Sequence, residues 1–242
     1  MNRLKHKADF IRILKNYKIS DEGLKLLGSL RMVILAGPSA TGRNSIIKGL
    51  VAKGGYHQII SDTTRDPRIN DGTLEQNGVD YWFRNEADML SDLKQGKFLE
   101  AEVIHNQQIS GISLRELNIA VKNHKIAVTD MEIGGFRNVI SLKPDVIAVL
   151  ALPPSFSEWL DRIHKRGNMP TAEIRNRLNT GLRIFKDTLN NLDAKIVVND
   201  QLDRAISEVD SLTRGAKDTN IESKINLLKT LLKQTEKYLE ER

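Results

Sequence analysis

Short apolar runs at residues 31–36, 57–61, 98–104, 125–131, 145–151 and 195–198 read as strands. Apolar residues recur at helical spacing over 43–53, 86–95, 113–123, 135–142, 155–166, 171–189 and 201–213. Apolar strands separated by helices predict a parallel sheet covered on both faces. The segment 62–85 interrupts this rhythm with Asp66-Pro67, Asn70-Asp71-Gly72 and Asn77-Gly78, all turn formers. A polar insertion between sheet strands is where an α/β protein places a substrate lobe.

The two ends stand apart from this alternation. Phe10, Ile11, Ile13, Leu14 and Tyr17 form one helical stripe, and Leu24, Leu26 and Leu27 a second, with Ser20-Asp21-Glu22 suited to a helix start between them. Near the other end Ile221, Ile225, Leu228, Leu232 and Leu239 share a face. That face predicts a helix packed on its own domain or a short dimerising coiled coil.

Composition narrows the class. The chain has 242 residues, enough for a substantial core, and 28% of them are charged. There is no cysteine, which excludes disulfides and thiolate metal sites, and the five histidines lack metal-ligand spacing. No apolar run is long enough to span a membrane, and the basic N-terminus lacks a signal peptide's apolar stretch, so a cytoplasmic protein is expected. A net charge of +6 favours anionic partners, while 5% aromatics and no basic-aromatic interleaving argue against a single-strand nucleic-acid platform.

The candidate chemistry begins at Val33-Ile34-Leu35-Ala36, an apolar run followed by Gly37, Pro38, Ser39, Ala40, Thr41, Gly42, Arg43, Asn44 and Ser45. Strand, glycine-bracketed loop and helix start together build a phosphate cradle, with backbone N–H groups aimed at an anion. A lysine and a Ser/Thr ordinarily follow the second glycine of such a loop. Here Arg43 keeps the charge on a bulkier, planar group, and Asn44 offers a carbonyl but no hydroxyl. Downstream, Ser61-Asp62-Thr63-Thr64-Arg65-Asp66-Pro67-Arg68 sets two arginines three residues apart, which suits bidentate capture of a monophosphate.

Further segments follow in order: Glu75-Gln76-Asn77-Gly78-Val79-Asp80-Tyr81, Phe98-Leu99-Glu100, Thr129-Asp130-Met131-Glu132, Leu160-Asp161-Arg162-Ile163-His164-Lys165-Arg166-Gly167, Ile174-Arg175-Asn176-Arg177-Leu178 and Val198-Asn199-Asp200. The chain thereby resembles the guanylate kinase family over about residues 31–212. That family carries GPSGxGKS, S-x-TTR-x-PR, E-x-NG-x-DY, F-L/I-E, D-I-D-x-QG, an arginine-rich lid and V-N-D in this order. The resemblance implies a P-loop NTPase-type α/β fold, a parallel sheet flanked by helices, with a GMP-binding insertion lobe, a helical lid and helical appendages at both ends. The expected boundaries are 1–29 for the N-terminal appendage, 30–213 for the kinase-like domain (acceptor lobe about 62–115, lid about 160–180) and 214–242 for the C-terminal helix.

It also implies roles. Arg65, Arg68 and Tyr81 would bind the GMP phosphate. Ser61 would donate to guanine O6, and Glu100 would accept from its N1–H and amino group, with Glu75 and Asp130 in the same acceptor pocket. Arg43, Arg162, Arg166 and Arg177 would serve catalysis at the transferring phosphoryl group. Asn199 would lie near the adenine of ATP, beside the Gly37–Ser45 loop. No protein metal site is expected. Mg²⁺ would arrive with ATP, close to Asn44 or Ser45.

Several positions depart from the family pattern. Besides Arg43 and Asn44, Ser110 and Ile112 stand where a phosphate-binding tyrosine and a guanine-contacting hydroxyl are expected. The stretch from Arg68 to Gly78 is longer than usual, and Ile133-Gly134-Gly135 replaces x-Q-G. Losing an ammonium at the transferring phosphate lowers the rate by roughly 10²–10⁴. Two readings follow: an ATP:GMP phosphotransferase, or an impaired kinase-like module that binds nucleotide or a protein. ATP and GMP are the expected partners, with a possible homodimer through the C-terminal helix and no role for nucleic acid or membrane.

Overall fold

The computed structural model describes residues 4–70, 72–104, 106–165, 167, 169–190 and 194–241. The chain opens with α1 (Lys7–Leu14) and α2 (Asp21–Ser29), followed by β1 (Met32–Ala36), α3 (Arg43–Lys53), β2 (Tyr56–Gln58) and β3 (Asp62–Thr63). Next come β4 (Ile69–Asn70), β5 (Thr73–Leu74), β6 (Trp82–Phe83), α4 (Glu86–Lys94), β7 (Phe98–Ile104), β8 (Gln108–Ser113) and α5 (Leu114–Lys122). The rest is β9 (Ile126–Asp130), α6 (Ile133–Leu142), β10 (Ile147–Leu152), α7 (Phe156–His164), α8 (Thr171–Asn190), β11 (Lys195–Val198), α9 (Leu202–Thr213) and α10 (Ile221–Glu240).

These elements form two compact units. The first holds the residues through Arg31 with Gly55–Ala127 and Ser141–Lys143. The second holds Met32–Gly54, Val128–Ile140 and the residues from Pro144 onward.

In the second unit the sheet order is β11-β10-β1-β9, and β10 runs parallel to both β1 and β11. Every residue of β1 is buried, as an unbroken apolar strand covered on both faces must be. The core beside it gathers Leu150, Leu152, Trp159, Ile163, Leu178, Phe185, Leu228 and Leu231. Leu228 and Leu231 bring the C-terminal helix α10 into this core, so its apolar face is used within the chain. Lys186 pairs with Glu236 at 2.7 Å, and Arg175 Nη2 donates to the Leu239 carbonyl at 2.8 Å.

The first unit is built on a mixed sheet, β6-β3-β8-β7. β3 is parallel to β6 and antiparallel to β8, and β7 is antiparallel to β8. On one side of this sheet Leu4 and Phe10 pack with Met89, Leu90, Leu93, Phe98 and Ile109. The N-terminal segment is thus docked on this unit. Tyr17 reinforces the docking: its hydroxyl donates to the Phe98 carbonyl at 2.6 Å and accepts from the Phe98 amide at 2.8 Å. Strand β8 was not among the expected strands, because Gln108, Ser110, Gly111 and Ser113 break the apolar run that would have marked it. Among the described residues no helix is long and apolar enough to cross a membrane.

Candidate active site

In the second unit β1 runs into the glycine loop, and Gly42 caps α3 at φ +87°. A side chain there would meet the Asn199 amide directly, so close approach and positive φ both require glycine. Three ties shape the loop. Thr41 Oγ1 donates to the Pro38 carbonyl at 2.9 Å, Trp159 Nε1 to the Ser39 carbonyl at 2.8 Å, and Asn199 Nδ2 to the Thr41 carbonyl at 2.8 Å. With these carbonyls held, the loop amides and the α3 N-terminus remain as the anion-binding groups. The Ser39 hydroxyl is buried without a partner among the described residues. Asn44 and Ser45 are exposed on the first turn of α3.

Arg43 is already engaged. Its Nη1 lies 3.2 Å from Asp130 Oδ2 and donates to the Met131 carbonyl at 3.4 Å. Asp130 ends β9, so it stands in the second unit with the loop arginine, although the resemblance assigns it to the acceptor pocket. Arg162 Nη2 donates to Glu158 at 2.5 Å and to the Asn199 carbonyl at 2.9 Å. Asn199 therefore links the loop to Arg162. Arg177 Nε bonds Glu173 at 3.0 Å, one helical turn away. Arg166, the remaining lid arginine of the motif, lies outside the described residues.

Ala40, expected as part of the phosphate loop, also has a left-handed backbone that was not expected. Its φ is +65°, and the family motif has glycine at that place, which was the signal available. Trp159, which fixes the Ser39 carbonyl, had no such signal.

In the first unit Arg65 and Arg68 converge on Glu75. Arg65 presents both terminal nitrogens to the Glu75 carboxylate (Nη2 to Oε1 is 2.8 Å), and the Arg68 amide donates to Oε2 at 2.9 Å. The Arg65 guanidinium sits 4.6 Å over the Tyr81 ring and 5.7 Å from that of Phe83. Glu75 thus acts as the anchor that holds a stacked, charged fork in place. Arg68 Nη2 makes one long bond to Gln108 at 3.4 Å and its side chain is exposed. A cavity of about 840 Å³ is lined by Arg65, Arg68, Arg84, Gln108, Lys5 and others.

Strand register decides which residues share a face. Thr63 is opposite Ser110, Ser110 is opposite Glu102, and Ile112 is opposite Glu100. These side chains share one face of the sheet, while Asp62 and Gly111 belong to the other. On the first face Ser110 Oγ donates to Thr63 Oγ1 at 2.8 Å, and Gln108 Nε2 reaches the same oxygen at 3.5 Å. Ile112 is buried. Glu100 makes no hydrogen bond or ion pair among the described residues. Burial, and then the charge of Glu102, pushes its carboxyl up to about 7. An unpartnered carboxylate of this kind gains most from a ligand that donates N–H groups. Ser61, two residues before Thr63, offers a hydroxyl, and its carbonyl accepts the Trp82 amide at 2.9 Å.

Comparison with known proteins places this arrangement. The guanylate kinase family model matches residues 29–215. The chain belongs to the guanylate kinase family. It is 32% identical to the guanylate kinase of Corynebacterium diphtheriae over 187 residues, 76% of this chain and 95% of that protein. It is 34% identical to that of Mycobacterium leprae over 188 residues, 77% of this chain and 87% of that protein. A crystal structure of guanylate kinase from Anaplasma phagocytophilum shares the fold at a TM-score of 0.52 and 17% identity, covering 78% of this chain and 87% of that chain. Enzymes of this family are nucleoside monophosphate kinases, and the α/β architecture with its parallel sheet and flanking helices is theirs.

Proposed function

We propose that the chain moves the γ-phosphoryl group of ATP to GMP, giving ADP and GDP, with Arg65, Arg68 and Tyr81 holding the acceptor phosphate and Glu100 reading the base. The observation that carries this is the Arg65 fork, stacked on Tyr81 and anchored by Glu75, in the same unit as an unpartnered Glu100. Phosphoryl transfer asks little covalent chemistry of a protein; it asks for position and positive charge around the moving group. Arg43, the loop amides, Arg162 and Arg177 supply that charge on the donor side. Arg162 and Arg177, partly buried, are held through i,i+4 pairs by the exposed carboxylates of Glu158 and Glu173, pairs weak enough to be exchanged for a phosphate.

Glu100 selects guanine because an ionised carboxylate accepts from N1–H and the amino group, whereas adenine presents a lone pair there. Magnesium fits as a companion of ATP: Ser45 Oγ and the Asn44 carbonyl are exposed oxygens at the head of α3, and no group of three acidic or histidine ligands exists among the described residues. Bound there, it would neutralise charge on the β- and γ-phosphates. We place the enzyme in the cytoplasm, where both nucleotides are present. Pairing of two chains through α10 would have to use its outer, largely polar face, since Leu228 and Leu231 are buried.

The engaged Arg43 favours a second reading, a nucleotide-binding module that has lost turnover. A coupled assay with Mg-ATP and GMP, dGMP, AMP, UMP or CMP separates the two. ADP formation with GMP and dGMP well above AMP, UMP and CMP is expected. No turnover over a buffer blank, with GMP still bound, leaves the module.

A further inference from the structure

A second cavity of the first unit, about 730 Å³, is formed by α2, the end of α4 and the start of α5. None of the residues assigned to GMP lines it. Strand register gives the reason. Asp62 and Ser113 lie on the sheet face opposite that of Thr63, Ser110, Ile112 and Glu100, and the cavity is on their side. Its wall α2 ends at Ser29, where the matched family region begins. The cavity is therefore built from the kinase domain together with a helix that lies ahead of the matched region.

Its lining sets four cationic side chains, Lys25, Arg84, Lys97 and Arg115, against two carboxylates, Glu22 and Asp92. Arg84 is spent on Asp62 at 2.7 Å and Asp92 at 2.9 Å, and Lys97 leans on Asp92 at 3.4 Å. Lys25 is exposed and has no partner among the described residues. Arg115 gives Nη2 to buried Asp62 at 2.8 Å and stacks 4.7 Å from the Trp82 ring centroid. Its side chain is still 46% exposed, so the rest of the fork has donors to offer. A fixed guanidinium, a free ammonium and the Asn118 amide on one cavity match a phosphate group, and Leu26 and Leu114 add an apolar wall.

We propose that this cavity is a second binding site, separate from the kinase substrate sites, for a phosphate-bearing small molecule held by Lys25 and Arg115. The shared chemistry is the phosphate, which either a nucleotide or a free polyphosphate brings.

Equilibrium dialysis of the full chain against radiolabelled pyrophosphate, with ADP and GMP saturating, tests it; a parallel arm uses labelled GTP. One further site per chain is expected. Lys25→Glu and Arg115→Gln should each weaken it by about tenfold or more, while Arg43→Ala and Arg68→Ala leave it intact. Because Arg115→Gln also removes a partner of buried Asp62, the decisive variant is Lys25→Glu, made on an exposed, unpartnered side chain. GTP binding over tenfold tighter than pyrophosphate identifies a nucleotide ligand, and equal affinity identifies the phosphate chain alone. Absence of any further site, binding unmoved by Lys25→Glu, or binding lost in Arg43→Ala overturns the proposal.

Discussion

Both units hold an arginine against a carboxylate at the point where the family handles phosphate, and the two pairs differ in kind. Arg65 and Glu75 meet as fork on fork, with side chains only 11% and 6% exposed, and the Arg68 amide closes on the same carboxylate. Arg43 meets Asp130 through one nitrogen at 3.2 Å, and Asp130 is 35% exposed. The first pair is a rigid scaffold; a ligand meets it preformed. The second is a looser contact that an incoming phosphate can compete with. The difference follows the sequence. Where the family motif is intact, structure is built around it, and where it departs the new side chain finds a partner nearby.

The largest effect is expected at the rigid pair. Arg65→Lys keeps the charge but loses the fork and the stack on Tyr81, so kcat/KM for GMP should fall by about 10² while KM for ATP changes by less than about threefold. Arg65→Ala is a poorer probe, because it removes the guanidinium paired with buried Glu75 and would destabilise the fold by about 3–5 kcal/mol. Steady-state kinetics on the lysine variant, with a thermal melt as control, decides the matter. Equal loss toward both substrates would dissolve the distinction between the two arginines.

Glu100 comes next, with a pH signature. Its carboxyl titrates at about 7, raised from the ordinary carboxylate value by burial and by Glu102. Between that ordinary value and about 7, the unfolded chain has lost this proton while the folded chain keeps it. This group's contribution to stability therefore falls as pH rises through the window and is constant above it. Base reading needs the ionised form, so kcat/KM for GMP should rise with pH toward a plateau above about 7. Glu100→Gln should flatten both dependences and weaken GMP by roughly 10- to 100-fold, leaving ATP unchanged. A profile unaltered by the substitution would assign the titration to another group.

Arg43→Lys sharpens the comparison from the other side. A lysine reaches phosphate oxygens as a compact charge and holds Asp130 less firmly, so kcat should rise by about three- to tenfold. A fall of similar size would mean that the Arg43–Asp130 contact is itself part of the working geometry.

Much of this is legible in the sequence, and particular residues show why. The strand, loop and helix around Gly37–Ser45 were readable because an apolar run, two glycines and a helical pattern agree on one local answer. The helices α3, α4, α5 and α8 fall within a residue or so of their periodic patterns. Strand β8 was not readable, since Gln108, Ser110, Gly111 and Ser113 interrupt its apolar run, and its partners come from β3 and β7. The Arg43–Asp130 and Arg65–Glu75 pairs were not readable either: they join residues far apart in the chain or across a turn, and sequence spacing does not measure such distances. The left-handed backbone at Ala40 hid behind a residue of high helix propensity.

Ala40 gives the smallest expected effect, and magnitudes decide its sign. An L-residue at φ +65° is disfavoured by about 1–2 kcal/mol against glycine. Two terms oppose a change to glycine. The Ala40 methyl is buried at 8% exposure in the same core cluster as Trp159, and removing it forfeits about 0.8 kcal/mol. Glycine also loosens the unfolded chain by about 0.4–1 kcal/mol. The terms nearly cancel, so Ala40→Gly should shift stability by no more than about 0.5 kcal/mol either way in urea unfolding followed by tryptophan fluorescence. Alanine is tolerated at this turn because its methyl has somewhere to go. A destabilisation above about 1.5 kcal/mol would show that packing outweighs strain here and that the loop depends on the methyl for its shape; a gain of that size would show strain stored in the phosphate loop.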